Sequence, residues 1–177
     1  IAAAPKELIR AGVGEALSKF TALADWLLGH YVRGEALDRS LLEQEAALCN
    51  DLFRNIGQNA PSELVEALMK VHLFAGMASA IAGQSRPTSG SEHLISHFWE
   101  MKYDLSVKAI YHGLQVGMAA RLVGAMYKRL SHVSLYANPR IADVEGTEDS
   151  LARVFGATQA KLIPKHRATP EEQQAEK

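Results

Sequence analysis

His93 and His97 lie four residues apart in Ser91-Glu92-His93-Leu94-Ile95-Ser96-His97. On a helix this spacing projects both imidazoles from one face, one turn apart. A third histidine, His112, follows in Tyr111-His112-Gly113-Leu114-Gln115-Val116-Gly117. Two or three imidazoles and a carboxylate suit a catalytic divalent cation, because nitrogen and anionic oxygen donors hold the ion while one position stays open for substrate. The carboxylate has a candidate in Glu15, directly after Ala11-Gly12-Val13-Gly14. An acidic residue at the start of a helical run is also what the helix dipole favours by itself. A buried glutamate, however, needs a partner, and a metal is one.

The elements that must carry these residues read as helices. Residues 5–33 place Leu8, Ile9, Val13, Leu17, Phe20, Leu23, Ala24, Leu27 and Leu28 at steps of three and four, which predicts a buried helix interrupted at the Gly12/Gly14 pair, where backbone approaches backbone. From Ser40 to Gly57 the apolar spacing predicts an amphipathic helix, with Ser40 and Glu43 as its capping box and Gly57 as its stop. Pro61 opens a third helix that ends near Gly83, and the lone His72 on it reads as a packed or edge residue. The loop from Gln84 to Gly90 breaks the pattern before the histidine helix. Ser89, Gly90 and Ser91 offer hydroxyls and amides that either cap that helix or receive an anion such as phosphate. After His112 the apolar stripe Val116, Met118, Ala119, Leu122, Val123, Met126 and Tyr127 reads as core. Met77, Met101 and Met118 read as core filler. Asn138-Pro139-Arg140 marks a turn, 147–155 a short last helix, and the polar residues 164–177 a tail after a helical metal-binding domain of residues 1–163. With no alternating strand of convincing length, the expected class is all-α.

Composition narrows the rest. In 177 residues, 47% hydrophobic and 22% charged, there is room for one well-buried domain. The formal charge of -1 provides no field that would favour nucleic acid or an anionic membrane. Cys49 is the single cysteine, so an internal disulfide and a cysteine-rich zinc site are excluded, and its apolar setting reads as packing. No uninterrupted apolar run reaches the roughly 20 residues of a bilayer span, and Ile1-Ala2-Ala3-Ala4-Pro5 lacks the pattern of a signal peptide. A cytoplasmic location is the expectation. The chain opens without methionine in what reads as a helix start, which fits a processed terminus or a piece of a longer protein.

Three motifs in order carry a resemblance. The stretch Ser85-Arg86-Pro87-Thr88-Ser89-Gly90-Ser91-Glu92-His93-Leu94-Ile95-Ser96-His97, the element His112-Gly113-Leu114-Gln115-Val116-Gly117, and the opening from Ala11 to Trp26 resemble the C-terminal helical domain of sn-glycerol-1-phosphate dehydrogenases. These enzymes share a superfamily with iron-containing alcohol dehydrogenases, glycerol dehydrogenases and dehydroquinate synthases. The resemblance implies a dehydroquinate synthase-like helical bundle and a divalent metal, Zn2+ first and Ni2+ or Fe2+ as alternatives, held by Glu15, His93 and His112. It implies His97 near substrate and nicotinamide, able to assist proton transfer, and a phosphorylated triose or polyol as substrate. Lys19 and Arg86 would balance charge or meet the phosphate, or else lie at the solvated surface. Two positions depart from the pattern: glutamate stands at 15 where the dehydrogenases carry aspartate, and Leu114 replaces the glutamate that usually follows the glycine of the His-Gly element.

No strand, glycine-rich turn and helix occur in sequence, so NAD(P) would require a nucleotide-binding domain or chain beyond these residues. The first expectation is therefore the metal-binding catalytic half of an NAD(P)-dependent oxidoreductase. The second is a non-catalytic helical module of the same descent, whose uncovered surface would favour a homo-oligomer or another protein. A dehydroquinate synthase-type lyase is suggested by Glu15 alone, and the Ser-Arg-Pro-Thr-Ser-Gly stretch speaks against it.

Overall fold

The computed structural model describes residues 4–57, 61–102 and 110–131. Within them the chain forms five helices and no strand: α1 (Lys6–Arg33), α2 (Arg39–Asn55), α3 (Pro61–Ala82), α4 (Ser91–Lys102) and α5 (His112–Leu130). The expected turn at 138–140, last helix at 147–155 and boundary at 163 lie outside the described residues.

The 28-residue α1 is the hub, and each of the other four helices packs on it. The interruption expected at Gly12 and Gly14 does not occur. Among the described residues positive φ is confined to Gly34, Gly57 and Gly83, all beyond helix ends, so the two internal glycines keep helical angles at a cost of about 1 kcal/mol each relative to alanine. Their return is proximity. A Cβ added to Gly14 would lie 2.2 Å from the carbonyl oxygen of Gly113, and one added to Gly113 would lie 2.0 Å from that of Ala11. Gly117 meets the Gly14 backbone in the same way. Side chains are thus absent along the seam where α1 and α5 cross.

Gly34, at φ 68°, ends α1 in the left-handed conformation, and its amide returns to the His30 carbonyl. The short connection to α2 is held by Trp26, whose indole donates to the Ala36 carbonyl at 2.8 Å. The α2 cap is Asp38, accepting from the Leu41 amide at 3.1 Å, rather than the Ser40/Glu43 pair. Ser40 already lies inside the helix, and its hydroxyl accepts from Gln44.

Two apolar clusters fix the α1, α2, α3 register. Ala16 packs with Cys49, Leu52, Leu68 and Val71, and Leu23 and Trp26 pack with Leu41 and Ala78. Cys49 is core, as expected. The methionines are not: Met77, Met101 and Met118 are all more than half exposed. Likewise α5 buries Val116, Ala119 and Val123 but exposes Met118, Leu122 and Met126. A sequence stripe shows only that residues share a face, and on α5 the small residues took the inner face because the approach to α1 excludes large ones. Leu8 and Leu28 of α1 are exposed as well.

Ser62–Ala82 also corrects the reading of apolar runs. Its mean hydropathy of 1.5 over an 18-residue window makes it long and apolar enough, by length and composition, to cross a membrane. Alanines and a glycine spread that hydropathy among a few polar residues, so no unbroken run betrays it. Val65, Leu68, Val71, Ala75 and Ala78 of this helix nevertheless serve the bundle core.

Candidate metal centre

Each of three elements contributes one donor. Glu15 follows the contact residue Gly14 on α1. His112 is the first residue of α5 and precedes the contact residue Gly113. The glycine seam therefore brings these two together, with His112 Nε2 3.9 Å from Glu15 Oε2. His93 lies in the first turn of α4, its Nε2 3.6 Å from Glu15 Oε1. Donor atoms of Glu15, His93 and His112 all fall within 4.8 Å of one another. The rings of His93 and His112 stand 5.3 Å apart.

The orientation of His93 is set from behind. Its Nδ1 bonds Glu92 Oε1 at 2.8 Å, which directs Nε2 toward Glu15. Glu92 is wholly buried and accepts further bonds from the Thr21 hydroxyl at 2.6 Å and the Gly90 amide at 2.7 Å. A carboxylate behind a ligating histidine fixes its tautomer and raises its basicity. Burial raises the Glu92 pKa, but the bonds from His93, Thr21 and Gly90 outweigh it and hold the carboxyl below the usual range.

Glu15 and His93 are charged together in the same way. Burial works against both, yet hydrogen bonding to His93 and Lys19, with their positive fields, brings Glu15 down to about 2. Bonds and fields from Glu15 and Glu92 raise His93 to about 9. A proton on His93 here neutralises what a cation would neutralise.

The residues fit a divalent ion. Glu15 Oε2 is buried with no hydrogen-bond partner, and a lone acceptor facing the His112 ring at 3.9 Å is a costly arrangement unless it has a cation to meet. The donor set of two nitrogens and a carboxylate oxygen suits zinc, nickel or ferrous iron.

The remaining expected residues divide. His97, 56% exposed at its side chain, stands 6.5 Å from the His93 ring and 6.0 Å from that of His112. It lies beside the cluster but outside the triad. Glu100 joins the two outer histidines, 3.2 Å from His97 Nδ1 and 3.6 Å from His112 Nδ1. Lys19 is not solvated: it is 2% exposed, donating to Glu15 Oε1 at 2.6 Å and to the Thr88 carbonyl at 2.9 Å. Arg86 donates to Glu35 Oε1 at 2.6 Å, a carboxylate it shares with Arg33. Both arginines border a cleft of about 670 Å³ onto which His93 and His97 open. At the start of α4 the amides of Gly90 and Ser91 are taken by the carboxylates of Glu92 and Asp25. Asp25 also accepts from the Tyr127 hydroxyl, tying α1, α4 and α5 together. The phenol's pKa is raised, by its burial first and then by this bond to Asp25.

Sequence reasoning passed over Glu92, Glu100, Thr21 and Tyr127 as working parts. The first two had a signal, adjacency to His93 and an i,i+3 step from His97; the last two meet their partners only through the fold.

An all-helical bundle with a two-histidine, one-carboxylate cluster between its central helix and two others is a metal-site scaffold by geometry. Its descent follows from comparison with known proteins. Over nearly three quarters of its length the chain is homologous to glycerol-1-phosphate dehydrogenases, matching their C-terminal portion. The glycerol-1-phosphate dehydrogenase [NAD(P)+] of Geobacillus stearothermophilus is 35% identical over 130 residues, 71% of this chain and 32% of the relative. That of Caldivirga maquilingensis is 35% identical over 137 residues, 73% and 39% of the two chains. That of Pyrobaculum neutrophilum is 37% identical over 134 residues, 72% and 38%. The chain thus spans about a third of the length of the curated relatives it matches. No family model matches it.

Proposed function

We propose that this chain is the metal-binding catalytic part of an NAD(P)-dependent polyol-phosphate oxidoreductase that interconverts glycerol 1-phosphate and dihydroxyacetone phosphate once a nucleotide-binding domain completes the cleft. The observation that carries the reading is the convergence of Glu15, His93 and His112, with Glu15 Oε2 buried and unpartnered. The homology to enzymes named for that substrate and cofactor supports it.

A divalent cation held by these three residues would act as a Lewis acid on the substrate's reacting oxygen. The remaining work belongs to the chain itself. Glu92 keeps Nε2 of His93 aimed inward. His97, with Nδ1 engaged by Glu100, has its other ring nitrogen to receive the hydroxyl proton as hydride leaves carbon for the nicotinamide. Arg86 and Arg33 at the cleft would exchange the Glu35 carboxylate for the substrate phosphate.

The test is metal content by elemental analysis after chelation and reloading with zinc, nickel or ferrous iron. One equivalent is expected in the parent chain and in His97→Ala, and none in His93→Ala or His112→Ala, with helicity preserved throughout. Equal retention by all three variants would refute the ligand assignment.

A second reading, a non-catalytic helical module, is favoured by one observation. Leu114, Met118, Leu122 and Met126 form an exposed apolar row at four-residue steps along α5. A metal-free parent chain that self-associates would support it.

A further inference from the structure

Glu45 is the least comfortable residue of the bundle. It lies on α2, 0% exposed, and both its carboxylate oxygens are buried without a hydrogen-bond partner. A carboxylate in that condition costs several kcal/mol unless a positive charge serves it. The core contacts show where such a charge lies. Ala16 of α1 packs with Cys49 of α2, and Leu23 of α1 packs with Leu41 of α2. The antiparallel register between these two contacts sets Lys19 across from Glu45. Lys19 is itself buried, and its field is the favourable one acting on Glu45. Cys49, one turn along α2, is the other ionisable group coupled to Glu45. Yet the ammonium is spent elsewhere, on Glu15 Oε1 and the Thr88 carbonyl.

Lys19 therefore stands between a part-buried carboxylate and a fully buried one, and bonds the first. The one it bonds is the carboxylate that a metal would take. A divalent cation on Glu15 would put a second positive centre against the ammonium in a poorly hydrated place, where repulsion between like charges is weakly screened. We propose that Glu45 is the second seat of Lys19, a buried counter-charge that receives the ammonium when a cation claims Glu15. Glu45 is then a positioning residue, acting on the metal site through Lys19 without touching it. The inference rests on the reading of Glu15 as a ligand, and it accounts for a buried glutamate that the bundle would otherwise carry at a loss.

Two arms test it on the full chain. In the first, zinc alone is titrated into the parent and Glu45→Gln by calorimetry against a competing chelator. The variant should bind about tenfold more weakly, within the range usual for coupled sites, while its thermal midpoint, read above pH 7 where Glu45 is ionised, rises because an unpaired buried charge is gone. Weaker binding with greater stability is a combination that structural damage does not produce. Unchanged zinc affinity overturns the proposal. In the second arm, without metal, Glu15→Gln frees Lys19, and the carboxyl carbon of Glu45 is followed by 13C NMR. It should titrate at least about one pH unit lower than in the parent as the ammonium arrives, and this fall should vanish in Glu15→Gln/Lys19→Met. An unmoved Glu45 titration, or one that falls equally without Lys19, overturns the proposal. If the parent takes up no zinc, the ligand assignment fails by itself, and the second arm still decides whether Lys19 has a second seat.

Discussion

Gly113→Ala tests whether the crossing of α1 and α5 builds the site. A Cβ at residue 113 would lie 2.0 Å from the Ala11 carbonyl oxygen and 2.7 Å from its carbon, all helix backbone with no side chain to swing aside. Ordinary contact begins near 3.4 Å, so the helices must separate locally by about 1 Å. Overpacking of this kind costs about 1 to 3 kcal/mol. The functional effect should exceed the stability effect. His112 is the neighbouring residue, and its Nε2 is 3.9 Å from Glu15 Oε2. A displacement of about 1 Å is several times the roughly 0.2 Å tolerance of a metal-ligand distance. Zinc affinity should therefore fall by two orders of magnitude or more, while urea denaturation shows a folded chain weakened by no more than about 3 kcal/mol. The control is Gly76→Ala on α3, where an added Cβ meets nothing within 4 Å and helix propensity alone should stabilise slightly. Parent-like zinc affinity in Gly113→Ala would show that the glycine seam does not set the ligand geometry.

Glu92→Gln keeps the shape behind His93 but removes the charge, and should lower metal affinity about 10- to 100-fold with helicity unchanged, as read by chelator competition; full affinity would mean that a side chain held at 92 by Thr21 and Gly90 orients the ring without its charge. Burial pushes Glu45 up to about 7 from its ordinary 4.5, with Lys19 pulling weakly the other way, so the folded chain holds this proton more tightly than the unfolded one. The contribution is complete below pH 4.5 and is lost as pH rises to about 7, by about 3 kcal/mol at 1.36 kcal/mol per pH unit. Urea midpoints of the metal-free parent should fall across that window, those of Glu45→Gln should not, and parallel slopes would contradict the assignment. Tyr127→Phe removes the donor to Asp25 and should cost about 1 to 2 kcal/mol in the same assay, with metal uptake retained because the phenol lies outside the triad.

Where the helices begin and end was legible because the stops are local chemistry. Gly34, Gly57 and Gly83 all take positive φ just beyond helix ends, and Pro61 opens α3. The cap of α2 was misplaced because Asp38 and Ser40 are both good capping residues two positions apart, and the backbone, not the residue type, decides between them. The gathering of Glu15, His93 and His112 follows what the resemblance implies, whereas histidine spacing by itself pairs His93 with His97, which lies outside the triad. Lys19 was not legible, since a lysine one turn from a glutamate describes a solvated helix pair equally well. Only the fold reveals that Thr88 closes over it. The exposed methionines failed for a related reason. Periodicity gives the face of a helix but not its neighbour, and on α5 the inner face belongs to Gly113, Val116, Gly117, Ala120 and Val123.

The donors are held by two different devices, and the difference bears on which substitutions the site can absorb. Glu15 and His112 are each one residue from a backbone contact, so their relative placement is as rigid as the crossing of two helices. His93 depends instead on polar support from Glu92, Thr21 and the Gly90 amide, and the start of its helix is tied to α1 through Asp25. A longer carboxylate arm at 15 is accommodated in this frame because Lys19 steadies one oxygen while the other faces His112. Shortening it by Glu15→Asp would withdraw the carboxylate by about one methylene from two histidines whose positions are fixed independently of it. Leu114 belongs to neither device: it points away from the buried face of α5, in line with Met118 and Leu122. A carboxylate restored there by Leu114→Glu should leave the Glu15, His93 and His112 geometry, and hence zinc stoichiometry, untouched.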